Sequence, residues 1–364
     1  MSLLIRVNRN CPWNRCAFCP VYKGQKFSVR TREEVLADVE RAASIAGEIR
    51  ALSWRYGLGG VVTPGLLQRV ASSDGFTESF HHVAHWMLCG AESVFLQDAN
   101  ALIAPVGDLV EILRAIRLAF PGVKRVTTYS RSHTASKRSV EELAALRTAG
   151  LDRVHIGLES GSNLVLEFVG KGVTAERQIE AGQRIKCAGL ELSEYIMPGL
   201  GGQRWTREHA VETARVLSAI DPDFIRIRSL AVAPGTPLAD KEGAGEFEPL
   251  SAVDTMRELR LLIENLEGIT SRIVSDHILN LLEEVQGKLP EDKDAIIAAI
   301  DRFLALSDED KDLFQLGRRL GVFRTPTDLE GSPHAGRVKA LMGQIRESYG
   351  SVDAGLREMV KQFI

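Results

Sequence analysis

The chain of 364 residues carries a formal net charge of −3, with 45% hydrophobic and 26% charged residues. That length can bury one large core with an appendage, or two ordinary cores, and the composition is that of a globular protein. Near balance of charge removes the electrostatic footprint of a dedicated nucleic-acid binder, so nucleic acid is not an expected partner. No apolar run approaches the ~20 residues of a membrane span and no signal-peptide core opens the chain, so a cytoplasmic protein without membrane partners is expected.

In chain order, Leu3 to Val7 reads as a short apolar strand, and three of the five cysteines follow at once as Cys11, Cys16 and Cys19, spaced C-x4-C-x2-C. An odd, clustered set of thiols without a secretory signal points to thiolate metal ligation rather than to a disulfide framework. A structural zinc ion wants four protein ligands, and no second Cys or His pair is placed to supply the fourth. Three thiolates suit a [4Fe–4S] cluster that leaves one iron open to a further ligand. A zinc-stabilised binding protein and cysteines that merely pack stand as the alternatives.

After the cysteines, Thr31-Arg-Glu-Glu34 is a capping-box signal, followed by Val35, Leu36, Val39, Ala42 and Ala43 at helical spacing. Glycines break the pattern from Gly57 to Gly65, and a helix around Phe80 to Leu88 is expected next. Strands are expected at Ser93–Gln97, Val123–Tyr129, Arg153–Leu158, Leu192–Met197 and Phe224–Leu230. Helices lie between them, including one long helical region that closes at Gly189. Ala149-Gly150-Leu151 and Ala188-Gly189-Leu190 each precede a strand, so the same helix-to-strand corner recurs. Six βα units over 1–240 imply a parallel sheet with right-handed crossovers, too short to close an eight-stranded barrel. From about residue 241 the rhythm stops, and 251–267, 276–287, 291–306, 308–320 and 335–361 read as helices. The expected organisation is therefore an α/β domain over 1–240 and a C-terminal helical region over 241–364.

The cysteine loop, with Phe18 directly before the third thiol and a strand directly before the first, resembles that of radical S-adenosylmethionine (radical SAM) enzymes. Their usual spacing, C-x3-C-x2-C, is one residue shorter in the first interval. Gly157-Leu-Glu-Ser-Gly-Ser162 resembles a segment of the oxygen-independent coproporphyrinogen oxidase, methylthiotransferase and Elongator catalytic-subunit branches. The resemblance implies a partial (β/α)6 barrel of the radical SAM type with a C-terminal helical appendage. It implies an enzyme holding one [4Fe–4S] cluster through Cys11, Cys16 and Cys19, with S-adenosyl-L-methionine (SAM) on the open iron. Reductive cleavage of SAM would give a 5′-deoxyadenosyl radical that abstracts hydrogen from a substrate. An external one-electron donor such as flavodoxin or ferredoxin is implied as partner.

Ligands of parallel βα folds bind at the carboxyl ends of the strands. The second strand ends in Asp98-Ala-Asn-Ala-Leu102, at the position of the family's Gly-Gly-Glu-Pro segment, which places Asp98 and Asn100 near the SAM amino group. Ser130 and Arg131 end the third strand, where they suit the SAM carboxylate or ribose. Alternation puts His155, Gly157 and Glu159 on the inward face of the fourth strand, where Glu159 meets either SAM or a structural ion-pair partner. The glycines of Pro198–Gly202 allow close approach of backbone to a ligand. Arg226 and Arg228 share one side of the sixth strand and suit an anionic small-molecule substrate, although either can pair with Glu159 instead. No cysteine follows residue 187, so an auxiliary cluster is not expected there. A related non-enzymatic heme chaperone is the nearest alternative within the family.

Overall fold

The computed structural model describes residues 1–71 and 77–360. The chain forms two compact units, Met1–Pro12, Gly24–Ile156 and Arg184–Glu191 in one, Trp13–Lys23, Gly157–Gln183 and Leu192–Ile364 in the other.

In the first unit, β1 (Leu3–Arg6) lies parallel to β4 (Ser93–Gln97), β4 to β5 (Arg125–Ser130), and β5 to the start of β6 (Arg153–Glu159). A separate two-stranded pair, β2 (Asn8–Arg9) and β3 (Ser28–Val29), flanks the first half of the cysteine loop. The helices are α1 (Arg32–Arg55), α2 (Pro64–Ala71), α3 (Glu78–Leu88), α4 (Val106–Ala119), α5 (Ser132–Ala135) and α6 (Val140–Ala149). The expected capping box of Thr31 with Glu34 forms on α1, and a second, Ser139 with Glu142, forms on α6. Helix α1 buries Val35, Val39, Ala42, Ala46 and Ile49, one stripe at three- and four-residue steps, and packs against α3 and α4. Gly150 ends α6 at φ 118° and Gly189 has φ 73°, so the repeated corner is a left-handed cap that a side chain would strain.

In the second unit, β7 (Glu191–Ile196) pairs in parallel with β8 (Phe224–Ile227), and β8 with β9 (Arg272–Val274), while β10 (Gly287–Lys288) closes the edge antiparallel to β9. The eight strands run in the order β1-β4-β5-β6-β7-β8-β9-β10, and β1 with β4 to β8 supplies the six-strand βα repeat of the partial barrel. Its helices are α7 (Asn163–Phe168), α8 (Ala175–Cys187), α9 (Gly202–Ile220), α10 (Pro237–Gly243), α11 (Ala252–Glu264), α12 (Lys293–Leu304), α13 (Asp308–Arg319), α14 (Ala335–Tyr349) and α15 (Val352–Val360). Helix α11 packs against α9 and α12, and α13 against α14 and α15.

Three expectations need correction. The long helical region before Gly189 is two helices, because Gly170 and Gly172 take positive φ of 62° and 70° between α7 and α8. Residues 276–287 are turns leading into β10, not a helix: Asn280 instead donates to the carbonyl of Ile227 and accepts from the amide and hydroxyl of Ser229. The stretch 335–361 is interrupted at Gly350, which has φ 78°. No helix among the described residues is long and apolar enough to cross a membrane.

Candidate functional site

The second half of the cysteine loop is built into the core of the second unit. Ala17 is buried with Val165, Val169, Leu200, Leu238 and Phe247, and Phe18 packs against that group. The turn between α7 and α8 grips the loop through its backbone. The Ala17 amide donates to the Val169 carbonyl at 2.7 Å, and the Trp13 indole N–H donates to the Gly170 carbonyl at 2.7 Å. A Cβ on Gly172 would lie 2.3 Å from the Trp13 ring, so glycine is what admits the indole. On the loop's far side, Lys23 Nζ donates to the carbonyls of Asn14 at 3.1 Å and Cys16 at 3.0 Å. Cys16 and Cys19 are partly exposed and free of disulfides, as is Cys11 in the first unit.

Lys171, inside the same turn, is the residue that the sequence reading missed. Its Nζ donates to Glu159 Oε1 at 2.9 Å and sits 5.6 Å from the centre of the Phe18 ring. The side chains of Lys171 and Glu159 are each 12% exposed, a partly desolvated pair in which neither charge stands alone. Glu159 reaches this geometry from φ 64°, and a Cβ on Gly157 would lie 2.1 Å from its Oε1. The only sequence signal is the Gly-Lys-Gly triplet at 170–172, hidden within an apparently continuous helix.

Glu194 on β7 lies close enough to feel both charges and is completely buried, with no hydrogen-bond partner for Oε2. Burial raises its carboxyl well above the usual carboxylate range, the charge of Glu159 adds to the rise, and Lys171 partly opposes it.

In the first unit, Asp98 accepts the backbone N–H of Asn10 at 3.0 Å, one residue before Cys11, and lies 3.5 Å from Arg6 Nε. Asn100 is fully buried and ties the end of β5 together. Its Oδ1 accepts the Arg131 amide at 3.0 Å and the Ser130 hydroxyl at 3.3 Å, and its Nδ2 donates to Thr134 Oγ1 at 2.8 Å. Asp98 and Asn100 thus hold the backbone of the neighbouring loops. Phe95, Tyr129 and His155 form an aromatic row across β4, β5 and β6, with centroids 4.7 Å and 5.8 Å apart along the row. Alternate positions on three strands were its signal.

Arg226 and Arg228 do share one side of β8, but neither pairs with Glu159. Both bind Asp276, Arg228 at 2.8 Å, and the Arg228 guanidinium lies over the Tyr195 ring at 4.8 Å. Burial alone would raise the Asp276 carboxyl, but the Arg228 hydrogen bond and the charges of both arginines outweigh it and leave the carboxyl below its usual range. Asp276 lies in the segment expected to be helical, so alternation could not reveal it.

The model of the radical SAM superfamily matches residues 83–217. That segment is similar to the radical SAM superfamily. The radical SAM match contains Asp98, Asn100, Ser130, Arg131, Glu159, Lys171 and Glu194, while the cysteine loop precedes it. Among relatives, a tRNA uridine(34) acetyltransferase of Methanocaldococcus jannaschii is 31% identical over 111 residues, 30% of this chain and 20% of that protein. A tRNA-2-methylthio-N(6)-dimethylallyladenosine synthase of Chlorobium phaeobacteroides is 27% identical over 240 residues, 65% of this chain and 44% of that protein. A biotin synthase of Geobacter sulfurreducens is 31% identical over 174 residues, covering 48% and 50%. The chain thus spans between a fifth and half of these relatives' lengths. The solved coproporphyrinogen III oxidase of Escherichia coli aligns at TM-score 0.47 and 15% identity, over 73% of this chain and 52% of that one.

Proposed function

We propose that this chain is a radical SAM enzyme that binds one [4Fe–4S] cluster through Cys11, Cys16 and Cys19. The observation that carries the reading is the grip of Val169–Gly172 on Trp13–Ala17, which attaches the cysteine loop to the segment that matches the superfamily. Among the described residues no three His, Cys, Asp or Glu side chains are drawn together as a metal site, so the ligand assignment rests on spacing and on this anchored loop. The donor set fits the group: three partly exposed cysteines outside any disulfide suit a cluster with one open iron.

When bound, the cluster and SAM supply the difficult chemistry, one-electron cleavage to methionine and a 5′-deoxyadenosyl radical that takes a hydrogen atom from substrate. The electron comes from an external donor of the flavodoxin or ferredoxin class. The chain's own part is to bind, aim and exclude water. Asp98 holds the backbone at Asn10 and Asn100 holds that of Ser130 and Arg131, so the strand ends that receive SAM keep their shape. Glu159, paired with Lys171, offers its remaining acceptor capacity to the ribose hydroxyls or the ammonium of SAM, and Arg226 and Arg228 offer donors to an anionic group. Residues 1–240 would be the catalytic part and 241–364 a helical region beside it, in a protein of the cytoplasm, where a reducing environment protects the cluster.

The test is anaerobic reconstitution with iron and sulfide, followed by SAM and dithionite. About four irons per chain are expected, with 5′-deoxyadenosine well above that of a Cys16→Ala control. Four irons and heme binding without SAM cleavage would replace this reading by the heme-chaperone one, and a colourless zinc protein would end it. Because two of the relatives are named for tRNA modification, tRNA belongs in the first substrate panel beside small molecules.

A further inference from the structure

The second unit encloses a cavity of about 450 Å³ where the chain leaves β7 and β8. Its walls come from Gly199 after β7, from Ser229–Val232 after β8, and from helices α11, α13 and α15. That volume lies in the range of small-molecule sites, and the carboxyl end of parallel strands is where such folds place ligands. Leu230, Val232, Met256 and Leu281 make much of the wall apolar.

One cation stands in this wall without an acid. Arg319, one helical turn after Gln315 on the same face of α13, donates to the carbonyls of Leu279 at 2.8 Å and Ile278 at 3.3 Å. No carboxylate among the described residues lies within ion-pair distance of it, in contrast to Arg226 and Arg228, which share Asp276. Burial, with a smaller push from Arg318, brings the Arg319 guanidinium down to about 10, so it stays charged at neutral pH. A partly buried cation that among the described residues is bonded to neutral carbonyls is under-compensated, and a ligand anion would complete it. The cavity also meets Glu242 and Asp353, the latter paired with Arg357 at 2.8 Å. These acids oppose a second negative charge on the ligand, which disfavours phosphates and nucleotides.

We propose that this cavity is the substrate site and that it takes an apolar small molecule bearing a single carboxylate, held at Arg319. The proposal deepens the radical SAM reading and rests on it for the word substrate, but its test does not require the cluster. Cluster-free full-length protein is titrated with the anionic dye 1-anilinonaphthalene-8-sulfonate, which is then displaced by decanoate, decanol or decanedioate. These probes share one chain length and differ in charge. One dye site is expected, displaced by decanoate about tenfold or more better than by either other probe. Arg319→Gln should erase that preference, and Ala231→Phe, which adds a ring to the cavity wall, should weaken dye and decanoate together. Should Arg319→Gln fail to fold, the probe ranking in the unaltered protein and its response to Ala231→Phe decide. Equal displacement by the three probes, many dye sites, or indifference to Ala231→Phe overturns the proposal. A failed SAM-cleavage assay beside positive binding would instead overturn the enzymatic reading alone.

Discussion

Gly157 is a residue whose missing side chain has work to do. The Glu159 carboxylate folds back over it and Lys171 Nζ lies 3.0 Å from where a Cβ would stand. Gly157→Ala should therefore push the ion pair apart and cost about 1–3 kcal/mol, read as a lowered urea midpoint with an unchanged slope. Gly47→Ala is the contrasting control. It sits inside α1 with nothing within 4 Å of an added Cβ, and should stabilise by about 0.5–1 kcal/mol. Glu194 makes a pH-dependent prediction. Its folded carboxyl is raised, so the folded state holds a proton that the unfolded chain has released. Stability associated with this group is therefore greatest below the ordinary carboxylate range and is lost as pH rises toward the folded value. Glu194→Gln removes that loss. The difference in Tm between Glu194→Gln and the unaltered protein should move in favour of the variant from about pH 4 to about pH 8. A constant difference would mean that Glu194 is ionised in the fold.

At the scale of elements, Asn100 shows how one buried amide organises a loop. It satisfies the Arg131 amide, the Ser130 hydroxyl and Thr134 at once, so Asn100→Ala leaves buried polar groups without partners. A loss of about 1–3 kcal/mol is expected, with faster hydrogen exchange at the Arg131 amide as its local signature. The strands and caps of the βα repeat were legible in the sequence because their signals are local. Thr31 and Ser139 announce helix starts, Gly150 and Gly189 announce corners, and alternation places Arg226 beside Arg228. What stayed hidden depends on tertiary contact. Gly170-Lys171-Gly172 reads as a weak spot in a helix until Trp13 is seen to need the space. The apolar residues of 276–287 carry helical spacing, yet Asn280 spends its amide on Ser229 and Ile227, which a helix would not permit. The partner of each site charge was equally non-local: Lys171 for Glu159, Asp276 for the two arginines.

For the molecule as a whole, Asp276 links a local pair to acid stability. Its folded carboxyl lies below the ordinary range, so the stability that it contributes is present above the unfolded value and is lost as pH falls through the folded one. Asp276→Asn should lower Tm at neutral pH, leaving Arg226 and Arg228 without their shared anion, and the gap should narrow as the medium is acidified. A gap that persists unchanged in acid would assign the loss to packing rather than to charge. The turn Val169–Gly172 carries a consequence of another kind. Four consecutive residues receive an indole, accept two N–H groups from the cysteine loop and send out a cation that reaches Glu159. One inserted residue would rotate Lys171 away from Glu159 and move the carbonyls off Trp13 and Ala17 together. Among descendants of a common ancestor this turn should therefore tolerate exchange of Val169 for other aliphatic residues but neither gain nor lose length.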